Sequence, residues 1–413
     1  MSRSGRVMSP RDAAADLVRR LHGAGHVAYF VGGCVRDRLL GLEPSEYDIA
    51  TDAVPEQVRS IFSGARMVGE SFGVMLVRSH GQVIEVATFR SDGDSSDHRR
   101  PDSVVFTDEH EDVKRRDFTI NGLFENPVDG RVIDHVGGIE DLNAGCLRAI
   151  GVPGDRFDED HLRMLRAVRF AARFDFTIEP TTAAAIRAHA DSLSGVSSER
   201  IGQELRRMFT TSSVVRVVEL LSTLELDAAI LGDDVGVDAW PRCARLDADD
   251  AVQSADRFEL ALIAWLMDRY ACEGMDADLC DAVGDRLVLS NQERARCASI
   301  VHVHARLQDT WIDGSVATRK RLAASDVFEE ALLLLAAMDA DAAAEIMKAV
   351  DLLAATPSGL APEPLVSGND LIDAGFKPGP EFGQLLDQLY DAQLEGRIDT
   401  RSEGVDLAAS LVS

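Results

Sequence analysis

Glu46 and Asp48 stand two residues apart, and about a dozen residues before them lies the run Gly32-Gly33-Cys34-Val35-Arg36-Asp37. Side chains i and i+2 of a strand turn to one side, so this spacing predicts two carboxylates presented together. Paired carboxylates are a candidate site for a divalent cation. Mg²⁺ is the expected occupant, because it takes oxygen ligands and keeps waters that a substrate's phosphates can replace. The glycine pair ahead of a short helix suits close approach of backbone N–H groups to those phosphates. A GG turn or an E-x-D alone is usually structural; the two in this order suggest a site for metal and phosphate.

Two later clusters add functional groups. Arg115-Arg116-Asp117-Phe118-Thr119-Ile120-Asn121 sets two guanidiniums, which can clamp a triphosphate, beside a carboxylate able to accept from ribose hydroxyls. Asp117 also has a structural reading, as the N-cap of the turn that follows. In Glu159-Asp160-His161-Leu162-Arg163, Asp160 and Arg163 are predicted at i and i+3 of a helix, an acceptor beside a donor. Cytosine and adenine each present an amino donor next to a ring acceptor and fit such a pair. Guanine O6 and uracil O4 would face the carboxylate with an acceptor, at a cost of about 1–3 kcal/mol per wrongly paired buried group. The competing reading is a plain i,i+3 salt bridge worth ~0.2–0.5 kcal/mol. Arg166, Arg169 and Arg173 continue the predicted helix as candidate phosphate or RNA contacts.

Short β-branched runs (26–31, 73–77 and 83–89) broken by Gly, Asp and Pro, with helical stretches at 11–22 and 55–62, predict a mixed α/β region up to about residue 150. Helical spacing then takes over, as in Leu162, Leu165, Val168 and Ile201, Leu205, Met208. The acidic stretch 232–250, with Pro241, reads as a loop between helical parts, and Pro357 to Val366 as a connector. Glu85, on the 83–89 strand, could supply a third carboxylate, though the favoured reading is a charge on the exposed face of a hairpin. The expected fold is α+β: a region with a mixed sheet (1–150), then all-α segments at 151–215, 216–356 and 357–413.

The chain has 413 residues and a formal net charge of −27, an unfavourable balance for a nucleic-acid binder. The charge is uneven: −6 for residues 1–210 and −21 for the remainder. Six dispersed cysteines without a C-x-x-C pair suggest free thiols, and His302 and His304, the only histidines after residue 211, make no metal motif. No membrane span or signal-peptide core is visible, so a cytoplasmic location is expected.

The ordered motifs resemble the class II nucleotidyltransferases of the polymerase-β superfamily, which include bacterial tRNA CCA-adding enzymes and poly(A) polymerases. That family opens with GG-x-V-R-D and D-x-D; here Glu46 stands where the first Asp is usual. R-R-D-F-T-x-N and E-D-x-x-R are matched by 115–121 and 159–163, and Asp134 to Leu142 is similar to its D-x-x-G-G-x-x-D-L hinge segment. Residues 199–207 resemble its neck-supporting helix, and 367–380 its bacterial tail.

The resemblance implies a polymerase-β-like head and template-free addition of C, C and A to the tRNA 3′ end from CTP and ATP. It implies Mg²⁺ on Glu46 and Asp48, triphosphate contacts from Gly32, Gly33, Arg36, Arg115 and Arg116, and ribose at Asp117. Base reading falls to Glu159, Asp160 and Arg163, and tRNA binding to the tail. Alternatives are a CC-only or A-only enzyme, suggested by Ser95 where an aromatic residue is common, and a poly(A) polymerase, disfavoured by Gly69-Glu70-Ser71-Phe72-Gly73. A catalytically silent RNA-binding module is a third, which the intact acidic residues argue against. An appended phosphohydrolase domain is not expected, and no protein partner is legible.

Overall fold

The computed structural model describes residues 8–68, 73–92, 104–233, 235–237, 239–249, 257–272, 274–275 and 277–412. The segments around Glu70 and Ser95 singled out above lie largely outside these. The chain divides into two compact units, Met1–Ser212 with Glu219–Asp233, and Ser213–Val218 with Asp234–Ser413.

The first unit opens with α1 (Pro10–Gly23), where Pro10 takes the first turn and the Ser9 hydroxyl accepts from the Asp12 N–H. Then follow β1 (Ala28–Val31), α2 (Gly33–Leu39), β2 (Asp48–Thr51), α3 (Pro55–Ile61), β3 (Arg66–Met67), β4 (Val74–Ser79) and β5 (Gln82–Thr88). A separate ribbon of β6 (Arg90–Asp92) and β7 (Val104–Phe106) leads to α4 (Glu109–Lys114), β8 (Leu123–Glu125) and β9 (Val132–Asp134). Seven strands form one sheet in the order β3-β4-β5-β2-β1-β8-β9. The β2–β5 pair is parallel and its neighbours are antiparallel, which is the expected mixed sheet. Ala14, Leu17, Val18 and Leu21, on the apolar side of α1, pack with Phe30, Ile49, Met75 and Val86 into a dry core.

Beyond the sheet come α5 (Gly138–Asn143), β10 (Cys146–Leu147), α6 (Pro153–Glu159), α7 (Leu162–Phe174), β11 (Thr177–Ile178), α8 (Pro180–His189), α9 (Ser198–Thr211), α10 (Val214–Thr223) and α11 (Leu226–Leu231). The parallel two-residue pair β10–β11 places a short strand in a stretch read from sequence as purely helical. Leu162, Leu165 and Val168 of α7 are buried, as their spacing requires, and α7 packs on α9.

The second unit is helical: α12 (Pro241–Asp247), α13 (Arg257–Arg269), α14 (Ala277–Arg286), α15 (Asn291–Asp309), α16 (Val316–Ala323), α17 (Phe328–Ala336), α18 (Ala340–Ala354), α19 (Gly368–Asp373), α20 (Phe382–Leu394) and α21 (Arg401–Val412). Pro241 opens α12 rather than lying in a loop. The buried Asp268 carboxylate accepts from the Arg242 and Cys243 N–H groups at the start of that helix and from the Arg242 side chain, so a distant anion caps it. Residues 355–367 contain no helix or strand, in keeping with the Pro-rich connector.

The D-x-x-G-G segment is a tertiary joint. Asp134 accepts from the N–H groups of Val136, Gly138 and Ile139, fixing the tight entry to α5. Asp141 accepts from the Thr119 hydroxyl and from Arg148. A side chain on Gly138 would bring its Cβ to 2.2 Å from the Thr119 carbonyl oxygen, whereas Gly23 at the end of α1 has nothing within 4 Å. Gly138→Ala is therefore expected to lose about 1–3 kcal/mol of stability by overpacking against backbone. Gly23→Ala is expected to be neutral or to gain up to ~1 kcal/mol. Urea unfolding midpoints of the two variants give the comparison.

Candidate active site

The chain passes from β1 into α2 through Gly32, whose φ of 72° a glycine adopts without strain and whose N–H donates to the Leu123 carbonyl. The next two N–H groups, of Gly33 and Cys34, meet no acceptor among the described residues. Arg36 is buried, donates to Asp37 and Asn121, and lies over the rings of Phe170 and Phe174. The Cys34 thiol, pushed up to about 12 by burial, is inert.

Glu46 lies just before β2 rather than on it, and it is exposed; Asp48 begins the strand. Both nonetheless face one cleft of about 700 Å³, joined there by Glu85. The parallel register pairs Ile49 with Val86, so one residue back along both strands Asp48 and Glu85 are neighbours. The hairpin charge is thus a third carboxylate of the cleft. Burial, then Glu85, then Glu46 raise the Asp48 carboxyl to about 6, against a lowering from Arg116. Three acids with so little local compensation form a donor set suited to a hard divalent cation.

Arg115 and Arg116, at the end of α4, line the same cleft and are held by Asp112. Asp117 differs from the N-cap expectation: its Oδ1 accepts from the Phe118 N–H directly after it and from Asn121, and its Oδ2 accepts from Arg166 Nε and Nη2. Burial acts to raise this carboxyl, but the Arg166 charge and the hydrogen bonds outweigh it, and it falls to about 2.

Asp160 lies in the break between α6 and α7, with extended backbone, while Arg163 is in the first turn of α7. The pair therefore does not share a helix as the spacing suggested, and it does not form the simple salt bridge either. Asp160 accepts from Arg200 of α9 through both oxygens, at 3.0 and 3.2 Å. Arg163 donates to Glu159 and to the carbonyls of Arg156 and Arg115. Asp160 and Arg163 both line the cleft; Glu159 acts behind Arg163.

Arg166 and Arg169 line the cleft already paired, with Asp117 and with Glu204 at 2.8 Å. Burial, opposed by Glu204, lowers Arg169 to about 10. Glu85, Arg200 and Glu204 are not singled out as site residues by the sequence: strand register brings in Glu85, and packing of α9 on α7 brings in Arg200 and Glu204, while Asn121 arrives with the Arg115–Asn121 run itself. In all, nine arginines and seven carboxylates face the cleft, a positive excess inside a chain of net −27.

Comparison with known proteins places this geometry. Residues 28–148 match a family profile described as the poly A polymerase head domain, and 175–231 one described as a probable RNA and SrmB-binding site of polymerase A. A curated CCA-adding enzyme of Levilactobacillus brevis is 33% identical over 393 residues, covering 94% of each chain. The chain belongs to the CCA-adding enzyme family. The Bacillus stearothermophilus CCA-adding enzyme, solved in complex with CTP, superposes with a TM-score of 0.74 at 27% identity, covering 98% of both chains. The Thermotoga maritima CCA-adding enzyme, solved with tRNA_CCA, shares the fold with a TM-score of 0.73 at 21% identity, covering 99% of this chain and 97% of that one. No helix among the described residues is long and apolar enough to cross a membrane.

The raised Asp48 carboxyl holds its proton to higher pH in the folded chain than in the unfolded one. In metal-free protein this group therefore lowers stability as pH climbs from about 4 to about 6, by about 3 kcal/mol when fully ionised. Asp48→Asn is expected to raise the Tm of metal-free protein at pH 8 and to leave it nearly unchanged at pH 4. Calorimetry with a chelator present checks the sign.

Proposed function

We infer that this chain is a tRNA nucleotidyltransferase that completes the tRNA 3′ end with C, C and A, taking CTP and ATP and using no nucleic-acid template. The observation that carries the reading is one cleft shared by the Glu46, Asp48 and Glu85 carboxylates, the Arg115–Arg116 pair and the Asp160–Arg163 edge. Relatives matching nearly the full chain are CCA-adding enzymes, which favours complete CCA addition over the split-function and poly(A) alternatives.

The acidic trio is suited to Mg²⁺, held by Glu46 and Asp48 with Glu85 beside them. When bound, the metal supplies charge that activates the tRNA 3′-hydroxyl and steadies the departing pyrophosphate in an in-line displacement. Glu46, one methylene longer than Asp, reaches the site from outside the strand. The N–H groups of Gly33 and Cys34, with Arg115 and Arg116, receive the triphosphate, while Gly32 and Arg36 shape the turn that presents them. Asp117 takes the ribose side, its carboxylate kept ionised by Arg166.

Asp160 accepts the amino group of cytosine or adenine and Arg163 donates to the adjoining ring nitrogen. Arg200 and Glu159 hold the two side chains apart, so each keeps bonding capacity for a base. Residues 1–150 form the chemical head, 151–215 the base-reading neck, 216–356 the body and 357–413 the tRNA-gripping tail. The site of action is the cytoplasm.

A tRNA lacking its last three nucleotides, incubated with each labelled nucleotide, tests this directly. Sequential transfer of CTP and ATP is expected, and use of only one would defeat the reading in favour of a split enzyme. Asp48→Ala should reduce incorporation on the order of 10³-fold or more without unfolding the chain. Arg163→Ala should slow CTP incorporation about tenfold to hundredfold and narrow the margin over UTP. Unchanged discrimination would refute the protein template.

A further inference from the structure

Away from the cleft, the first unit holds a second group of ligand-type side chains. Glu109 and His110 are the first two residues of α4, and His135 follows β9 by one residue. Their donor atoms lie within 4.8 Å of one another, and they are the only such three-residue group among the described residues. The two imidazoles are stacked, with ring centroids 3.7 Å apart at 36°. His135 Nε2 is buried and meets no hydrogen-bond partner among the described residues. Leaving a buried ring nitrogen unpartnered is costly, so the fold carries a polar atom whose partner is missing among the described residues.

We propose that Glu109, His110 and His135 bind a borderline transition-metal ion, Zn²⁺ above all, at a site separate from the catalytic carboxylates. Two imidazoles and one carboxylate favour zinc and its first-row neighbours, and disfavour magnesium, which prefers an all-oxygen set. Around tetrahedral zinc, ligand atoms stand about 3.3 Å apart, given bonds of about 2.0–2.1 Å. Closing from the present separation takes a rotation of the exposed His110 side chain, with water completing the shell.

None of the three residues lines the cleft that holds Glu46 and Asp48. The ion would act as a staple. It ties the start of α4, whose far end delivers Arg115 and Arg116, to the stretch that runs from β9 into the Gly137–Gly138 joint. Because only the folded chain brings residues 109 and 135 together, bound metal stabilises that state.

The test uses the full-length chain carrying Asp48→Ala, so that the acidic trio does not compete for metal. Titration with Co²⁺ should develop the visible absorption of a low-symmetry, four- or five-coordinate ion at one equivalent, and Zn²⁺ should displace it. His110→Ala and His135→Ala should each weaken Zn²⁺ affinity by roughly tenfold or more in calorimetric titration. Added Zn²⁺ should raise the Tm of the His-intact protein and leave that of the histidine variants unchanged. Since His110 is exposed, His110→Ala keeps the fold, which far-UV circular dichroism verifies, and so remains informative should His135→Ala unfold. Absence of the Co²⁺ spectrum, or equal Zn²⁺ affinity in His110→Ala, overturns the proposal.

Discussion

The Asp117–Arg166 ion pair is the constraint on which the site depends. Asp117 ends the Arg115–Arg116–Asp117 run and Arg166 projects from α7, 49 residues later, with both Nε and Nη2 donating to one carboxylate oxygen. Two further arginines add to the same seam: Arg163 donates to the Arg115 carbonyl and Arg156 to that of Lys114. Together they fix the helix carrying Arg163 against the segment carrying the candidate phosphate-binding arginines. The two ends of the cleft, Asp160 with Arg163 and Arg115 with Arg116, thus share one frame. Breaking a buried pair of this kind leaves an uncompensated charge, at a cost of about 3–5 kcal/mol.

The same pairing explains how a strongly acidic chain provides a site for polyanions. The cleft does not need a basic surface overall; it needs a local excess of guanidinium held in place by carboxylates that also set its geometry. Asp112 orients Arg115 and Arg116, Glu204 orients Arg169, and Asp160 meets Arg200. The exception is the trio Glu46, Asp48 and Glu85, where three carboxyl groups face one another and burial, reinforced by Glu85 and Glu46, raises Asp48. That imbalance sets the trio apart from the ion-pair networks around it.

Much of this was legible along the chain. Motifs whose members are close in sequence, such as Gly32–Gly33, Glu46 with Asp48 and Arg115–Arg116–Asp117, could be named because their chemistry is local. The mixed sheet followed by helices could be read because side-chain periodicity reports local backbone geometry. The errors share a cause. Spacing puts Asp160 on a helix because spacing alone cannot reveal a break between α6 and α7. Composition places Pro241 in a loop because the group that caps a helix there, Asp268, lies 26 residues beyond Arg242.

The sequence by itself determined which functional groups exist, their order and the periodic elements that carry them, since these follow from side-chain chemistry and backbone preference within a few residues. Tertiary structure alone decided which groups meet. Parallel pairing of β2 with β5 made Glu85 a neighbour of Asp48, packing of α7 on α9 gave Asp160 to Arg200, and the turn after β9 brought His135 against His110. Such meetings depend on strand register and helix packing across long loops, whose energies come from burial of the whole core and leave no trace at the residues they unite.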